Sequence, residues 1–265
     1  MQRQSPSKEV APPADSPVPP RASHHGYWTS NLDLTWQTYL PVLLVLSFAA
    51  GCIDVFSVPA LRVFTGNLVY AALGVAQMVS VDPSVIYPVS AIVALAGSWV
   101  GSFASGLIGN HLGRKRRGFI FGDLVIQSFL IFLCVGLYWG GAIQFQDGRT
   151  EYIAIALLSY SMGAQNVTVK GMGTPPTIPT QVATGAMAEL VSDPRLFVGF
   201  TKNRPRNERI VFVLTFFLGG VIGGLAYRYS SPELCLLLTA IFKLLAAISV
   251  LLVPRKDVAP APEIA

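Results

Sequence analysis

Long apolar runs alternate along the chain with short polar interruptions. Six stretches, at about 40–58, 86–109, 119–140, 152–171, 209–227 and 232–253, come close to the ~20 apolar residues that carry a helix across a hydrocarbon layer about 30 Å thick. Residues 1–26 are different: six prolines, from Pro6 to Pro20, sit among scattered charges. Such a segment cannot bury enough surface to offset ordering entropy, so a disordered tail is expected there, and again at 255–265. Residues 27–39 carry Tyr27, Trp28, Trp36 and Tyr39, side chains that settle at membrane interfaces. The predicted fold class is an all-α integral membrane protein of about six transmembrane helices, with its membrane domain at 40–254.

Two further segments are too interrupted to read as simple spans. Residues 64–80 open on Thr65-Gly66-Asn67, and residues 180–192 carry Thr184-Gly185 and Glu189. Their likeness points to an internal repeat. "AAGCIDV" (49–55) aligns with "SMGAQNV" (161–167), setting Gly51 on Gly163 and Asp54 on Asn166. "FTGNLV" then aligns with "ATGAMA", and "LAGSWVGSF" (95–103) with "FLGGVIGGL" (217–225). Each half closes on an apolar helix, so repeat one covers about 40–140 and repeat two about 152–253.

Composition agrees with the membrane reading. The chain is 52% apolar and 12% charged, with a mean hydropathy of +0.53; soluble domains carry about a quarter charged residues. The net charge of +5 gathers in two loops, 111–118 (Arg114, Lys115, Arg116, Arg117) and 195–209 (Arg195, Lys202, Arg204, Arg206, Arg209). Basic loops stay cytoplasmic. If both Thr-Gly segments enter and return, every loop falls on its expected side, both termini are cytoplasmic, and the halves form an inverted repeat. The charge then needs no nucleic-acid partner: the lipid bilayer is the partner, and a homo-oligomer is left open. Cys52, Cys134 and Cys235 show neither metal-ligand nor disulfide spacing. No cofactor is expected, and the proline-rich start lacks the apolar centre of a signal peptide.

The candidate chemistry lies at the interruptions. A carboxylate at membrane depth costs about 2.5–3.5 kcal/mol, so Asp54 must be paired, protonated or in a wet cavity. It is the candidate proton or cation site. Thr65, Gly66, Asn67, Thr184 and Gly185 would offer the free amides of two facing half-helices to a polar or anionic solute. Lys243, mid-way along the last helix, is a candidate deep partner for Asp54, whereas Asp123 is expected at the interface. Gly97, Gly101, Gly219, Gly220, Gly223 and Gly224 mark faces for close helix packing. An enzyme is not expected, since no histidine is buried and no nucleophile or metal motif occurs.

The order "GCIDVFSVPALRVFTGNLV", a glycine-rich helix, a basic loop, "GAQNV" and "ATGAM" resembles the YoaK-like membrane family, domain-of-unknown-function family 1275, over about 38–254. The resemblance implies a polytopic α-helical fold and supplies no substrate. It places Asp54, Thr65, Gly66, Asn67, Gln165, Asn166, Thr184 and Gly185 on recurrent motifs. The second turn reads Thr-Gly-Ala, so the half-sites are unequal. The leading expectation is a secondary transporter for a small polar or anionic solute, with Asp54 as its candidate proton-coupling site. A passive channel and a non-transporting scaffold are the alternatives.

Overall fold

The computed structural model describes residues 26–32, 36–65, 88–144, 149–173, 180 and 183–254. Among these are seven α-helices: α1 (Trp36–Leu61), α2 (Pro88–Leu112), α3 (Arg117–Trp139), α4 (Glu151–Met172), α5 (Ala183–Val191), α6 (Arg204–Tyr229) and α7 (Pro232–Leu252). Single 3-10 turns lie at Tyr27–Thr29 and Phe200–Lys202. Gly66 and Asn67, the rest of the first Thr-Gly segment and both proline-rich tails lie outside the described residues.

Five helices, α1, α2, α3, α6 and α7, are long and apolar enough to cross a membrane. The sixth expected span, α4, is 22 residues long, about 33 Å, but carries Ser159, Ser161, Gln165, Asn166 and Thr168. Its polar side chains are tolerable because neighbouring helices cover them: Ser159, Ser161, Gln165 and Thr168 are all buried.

Local chemistry sets the helix ends. Asn203 caps α6 by accepting from the Arg206 N–H, and Ser231 caps α7 by accepting from the Leu234 N–H. Prolines follow both caps, where a missing N–H costs nothing. Gly173 closes α4 in the left-handed conformation at φ 64°. Near the end of α1, Pro59 has no N–H to give the Val55 carbonyl, and Arg62 turns left-handed at φ 54°.

α3 and α7 pack together at the centre, flanked by α4 and α1; α2 lies outside against α4, and α6 outside against α1. The outer crossings are close backbone approaches. A Cβ on Gly51 would lie 2.8 Å from the Gly220 nitrogen, and one on Gly219 2.9 Å from the Phe48 Cα. Across the other pair, a Cβ on Gly163 or Gly101 would lie 2.8 Å from the carbonyl carbon of Ser98 or Tyr160. Gly97 and Gly223 are equally crowded. Gly220 and Gly224 instead face Val55 side-chain carbons at 3.2 Å.

Both basic loops share one end of the bundle with the start of α1 and the end of α7. Asn31 bridges to Arg116, and the Tyr27 hydroxyl donates to the Leu251 carbonyl. Buried Arg117 donates to the Leu251 and Val253 carbonyls at 2.7 and 2.5 Å and lies over the Tyr27 ring. The six long helices accordingly alternate in direction. α5, nine residues and about 13 Å long, is too short to cross. It ends at the basic end, where Glu189 pairs with Arg209 at 2.9 Å. Just ahead of it, Thr180 is tied to Gln165, two turns inside α4.

Candidate functional site

Asp54 lies in the second half of α1, partly buried at a cleft of about 570 Å³ between α1, α5 and α6. Gly51 and Val55 continue the α1 wall, Ala183 and Met187 bring in α5, and Phe216 and Gly220 bring in α6. The cleft opens sideways, past the exposed side chains of Leu214, Phe217 and Val221. Among the described lining residues Asp54 alone is charged, and its carboxylate makes no hydrogen bond or ion pair with any described residue. The described walls are otherwise apolar, so among the described residues this acid has neither a cation nor a donor to stabilise its charge.

The expected Asp54–Lys243 pair does not form. Lys243 is fully buried but donates to the Ser161 hydroxyl (2.7 Å), the Gln127 carbonyl oxygen (3.0 Å) and the Ser161 backbone carbonyl (3.4 Å). Three acceptors use all three ammonium protons. The Gln127 amide then donates to Asp123 at 2.6 Å, and the Thr168 hydroxyl donates to the same oxygen at 2.5 Å. Because Thr168 spends its proton there, Ser105 is the donor in their 2.9 Å contact. Asp123 is buried between the helices, one helical turn from Gln127, and answers Lys243 through the amide. The network joins α2, α3, α4 and α7, and the two charges fix which way the amide points.

These two loci differ in kind. The Lys243 network is closed and neutral as a whole, which suits a tie between helices. Asp54 is open, and an unanswered acid at a cleft can change protonation or meet a ligand without breaking the fold.

The structure separates the remaining motif residues. Thr184 and Gly185 are exposed on α5, beside Ala183 at the cleft wall. Thr65 is buried beyond the end of α1 with no partner for its hydroxyl. Gln165 is fully buried, donating to Thr180 at 3.0 Å and the Leu46 carbonyl at 3.5 Å, with its own carbonyl oxygen unpartnered. Its tie to Thr180 anchors the approach to α5. Asn166 is partly buried and does not line the Asp54 cleft. Sequence reasoning missed Gln127, Ser161, Thr168 and Ser105. Asp123 and Gln127 share a helix face at i, i+4 spacing, but nothing along the chain says that Lys243 faces them.

Long apolar helices, a buried polar network and an absence of strands among the described residues define an all-α protein of the multi-pass membrane class. The chain belongs to the family described as "Protein of unknown function (DUF1275)", whose pattern matches residues 42–249. No curated relative and no solved structure matches it.

Proposed function

We propose that the protein is a secondary transporter in which Asp54 is the protonatable group of a solute cleft closed on one side by α5. The single observation that carries this reading is a carboxylate at a cleft between three helices that pairs with no described residue. A charge left unanswered at that depth is costly and is otherwise hard to account for. The cleft lining carries no basic residue, so its chemistry suits a small solute that donates to a carboxylate better than it suits an anion.

We read the membrane domain as an inverted repeat, and the helix packing supports that reading. Exchanging α1 with α4, α2 with α6 and α3 with α7 turns each helix contact into another: α1–α6 becomes α4–α2, and α1–α7 becomes α4–α3. The long helices of one half run opposite to their counterparts. The glycine crossings relate Gly101 to Gly219, one helical turn from the Gly97–Gly219 alignment read in sequence; a four-residue glycine spacing matches itself in either register. α5 is then a re-entrant half-helix, and both termini lie on the cytoplasmic side with the basic loops.

The test is solute-induced current on a supported membrane of proteoliposomes, screened with amines, neutral amino acids, sugars and carboxylates across a pH step. Wild type should respond to one class in a pH-dependent way, and Asp54→Asn should lose the pH dependence while remaining folded. A wild-type response retained unchanged in Asp54→Asn would remove Asp54 from the mechanism.

A further inference from the structure

On the opposite flank of the bundle, α2 and α4 form a second pocket of about 350 Å³ near the basic end, lined by Asn110, Arg114 and Lys170 together with Ser102, Gly106 and Val167. Among the described residues no carboxylate pairs with either cation. Asn110 accepts from the Arg114 Nε at 2.9 Å, which aims the guanidinium and leaves its two terminal nitrogens free to fork onto an oxyanion. Lys115 is not part of the lining: its Nζ lies 3.2 Å from where a Cβ on Gly173, past the end of α4, would sit. The carbonyl ends of α2 and α4 oppose an anion here with about half a charge each, so a single cation would not suffice, and Arg114 and Lys170 together outweigh that opposition.

The pocket has an apolar extension. Phe103 and Leu107 form its outer wall, and Ser102 and Phe103 are shared with a neighbouring groove of about 580 Å³ that runs on to Trp99 and Val100. Trp99, Phe103 and Leu107 are spaced four apart along α2 and are 66%, 69% and 44% exposed, a continuous apolar track toward the bilayer centre. A cationic pocket joined to an apolar groove, the two running about 12 Å along α2 from Leu107 to Trp99, matches one ligand class. We propose that this flank is a binding site for an anionic phospholipid, its phosphate held by Arg114 and Lys170 and one acyl chain lying along Trp99 and Phe103. Basic pockets between membrane helices hold such headgroups, at about fivefold in affinity per cation.

The experiment titrates purified, delipidated protein with dioleoyl phosphatidic acid, phosphatidylcholine or inorganic phosphate, following thermal stability and counting retained lipids by native mass spectrometry. Phosphatidic acid should stabilise saturably, with a retained stoichiometry of one, and phosphatidylcholine should not. Arg114→Gln/Lys170→Gln should bind about twenty-five-fold more weakly. Arg195→Gln/Lys202→Gln removes the same charge from the other basic loop and should bind like wild type. Equal losses in both double variants, or none in either, would overturn the site. Stabilisation by inorganic phosphate as strong as by phosphatidic acid would overturn the lipid assignment. Lipid-free melting of each variant separates a folding defect from a binding one.

Discussion

Replacing Gly163 by alanine tests the helix crossing directly. The new Cβ would sit 2.8 Å from the Ser98 carbonyl carbon, 2.9 Å from its Cα and closer still to its oxygen. All three are backbone atoms of α2, so no side chain can swing away. Restoring an ordinary 3.4 Å separation to the carbonyl carbon alone requires α2 and α4 to part by about 0.6 Å. Overpacking of this kind costs about 1–3 kcal/mol. The movement also stretches the 3.1 Å bond from the Ser102 hydroxyl to the Gly163 carbonyl, which contributes about 1 kcal/mol. Alanine recovers about 0.5–1 kcal/mol as the better helix former. The net loss of about 2 kcal/mol corresponds to a fall in Tm of about 4–8 °C. The assay is thermal unfolding read by a thiol-reactive dye, because Cys52, Cys134 and Cys235 are free and buried until the helices separate. Gly122→Ala and Gly136→Ala are the internal controls: with nothing within 4 Å of either added Cβ, both should raise Tm slightly. A Gly163→Ala protein that melts with these controls would refute the close crossing.

Gln127→Leu should cost about 3–5 kcal/mol, since it strands Lys243 and Asp123 as buried, unbridged charges; adding Asp123→Leu and Lys243→Met should recover most of the loss in the same melting assay. A triple variant no more stable than the single one would argue against the network. In the loop before α6, Asn203 and the Arg195 N–H bond the Asp193 carboxyl and hold it below its ordinary range. A lowered folded-state pKa gives stability that is present above the unfolded value of about 3.9 and lost as pH falls through the folded one. Protection factors over 193–204, taken against the intrinsic exchange rate at each pH, should therefore fall on acidification below about pH 4, and Asp193→Asn should flatten that response. For sidedness, a tag placed before Ser30 should share the accessibility of a tag near Lys202 in sealed cells; opposite accessibility would break the six-helix alternation.

Much of the architecture was legible along the chain because a bilayer demands it. Backbone groups in hydrocarbon must bond within their own helix, so the long apolar runs could only be helices. The basic loops told which ends belong together, and the glycine spacing told where helices would touch. Asp54 stood out because carboxylates are rare at that depth, which is a property of the residue and its neighbours in sequence. Partnership is different. Whether Lys243 meets Asp54 or Gln127, and whether Asp123 lies at the surface or inside, depends on the rotation and register of helices far apart in the chain. A rotation of one residue, 100°, exchanges a buried position for a lipid-facing one while leaving hydropathy unchanged. Under the proposed inverted repeat, the same degeneracy accounts for the one-turn shift between Gly97 and Gly101 opposite Gly219. The sequence alone therefore determined which groups are too polar to be left in lipid. Only the packing of α1, α5 and α6, against that of α3, α4 and α7, decided that Lys243 is answered and that no described residue answers Asp54.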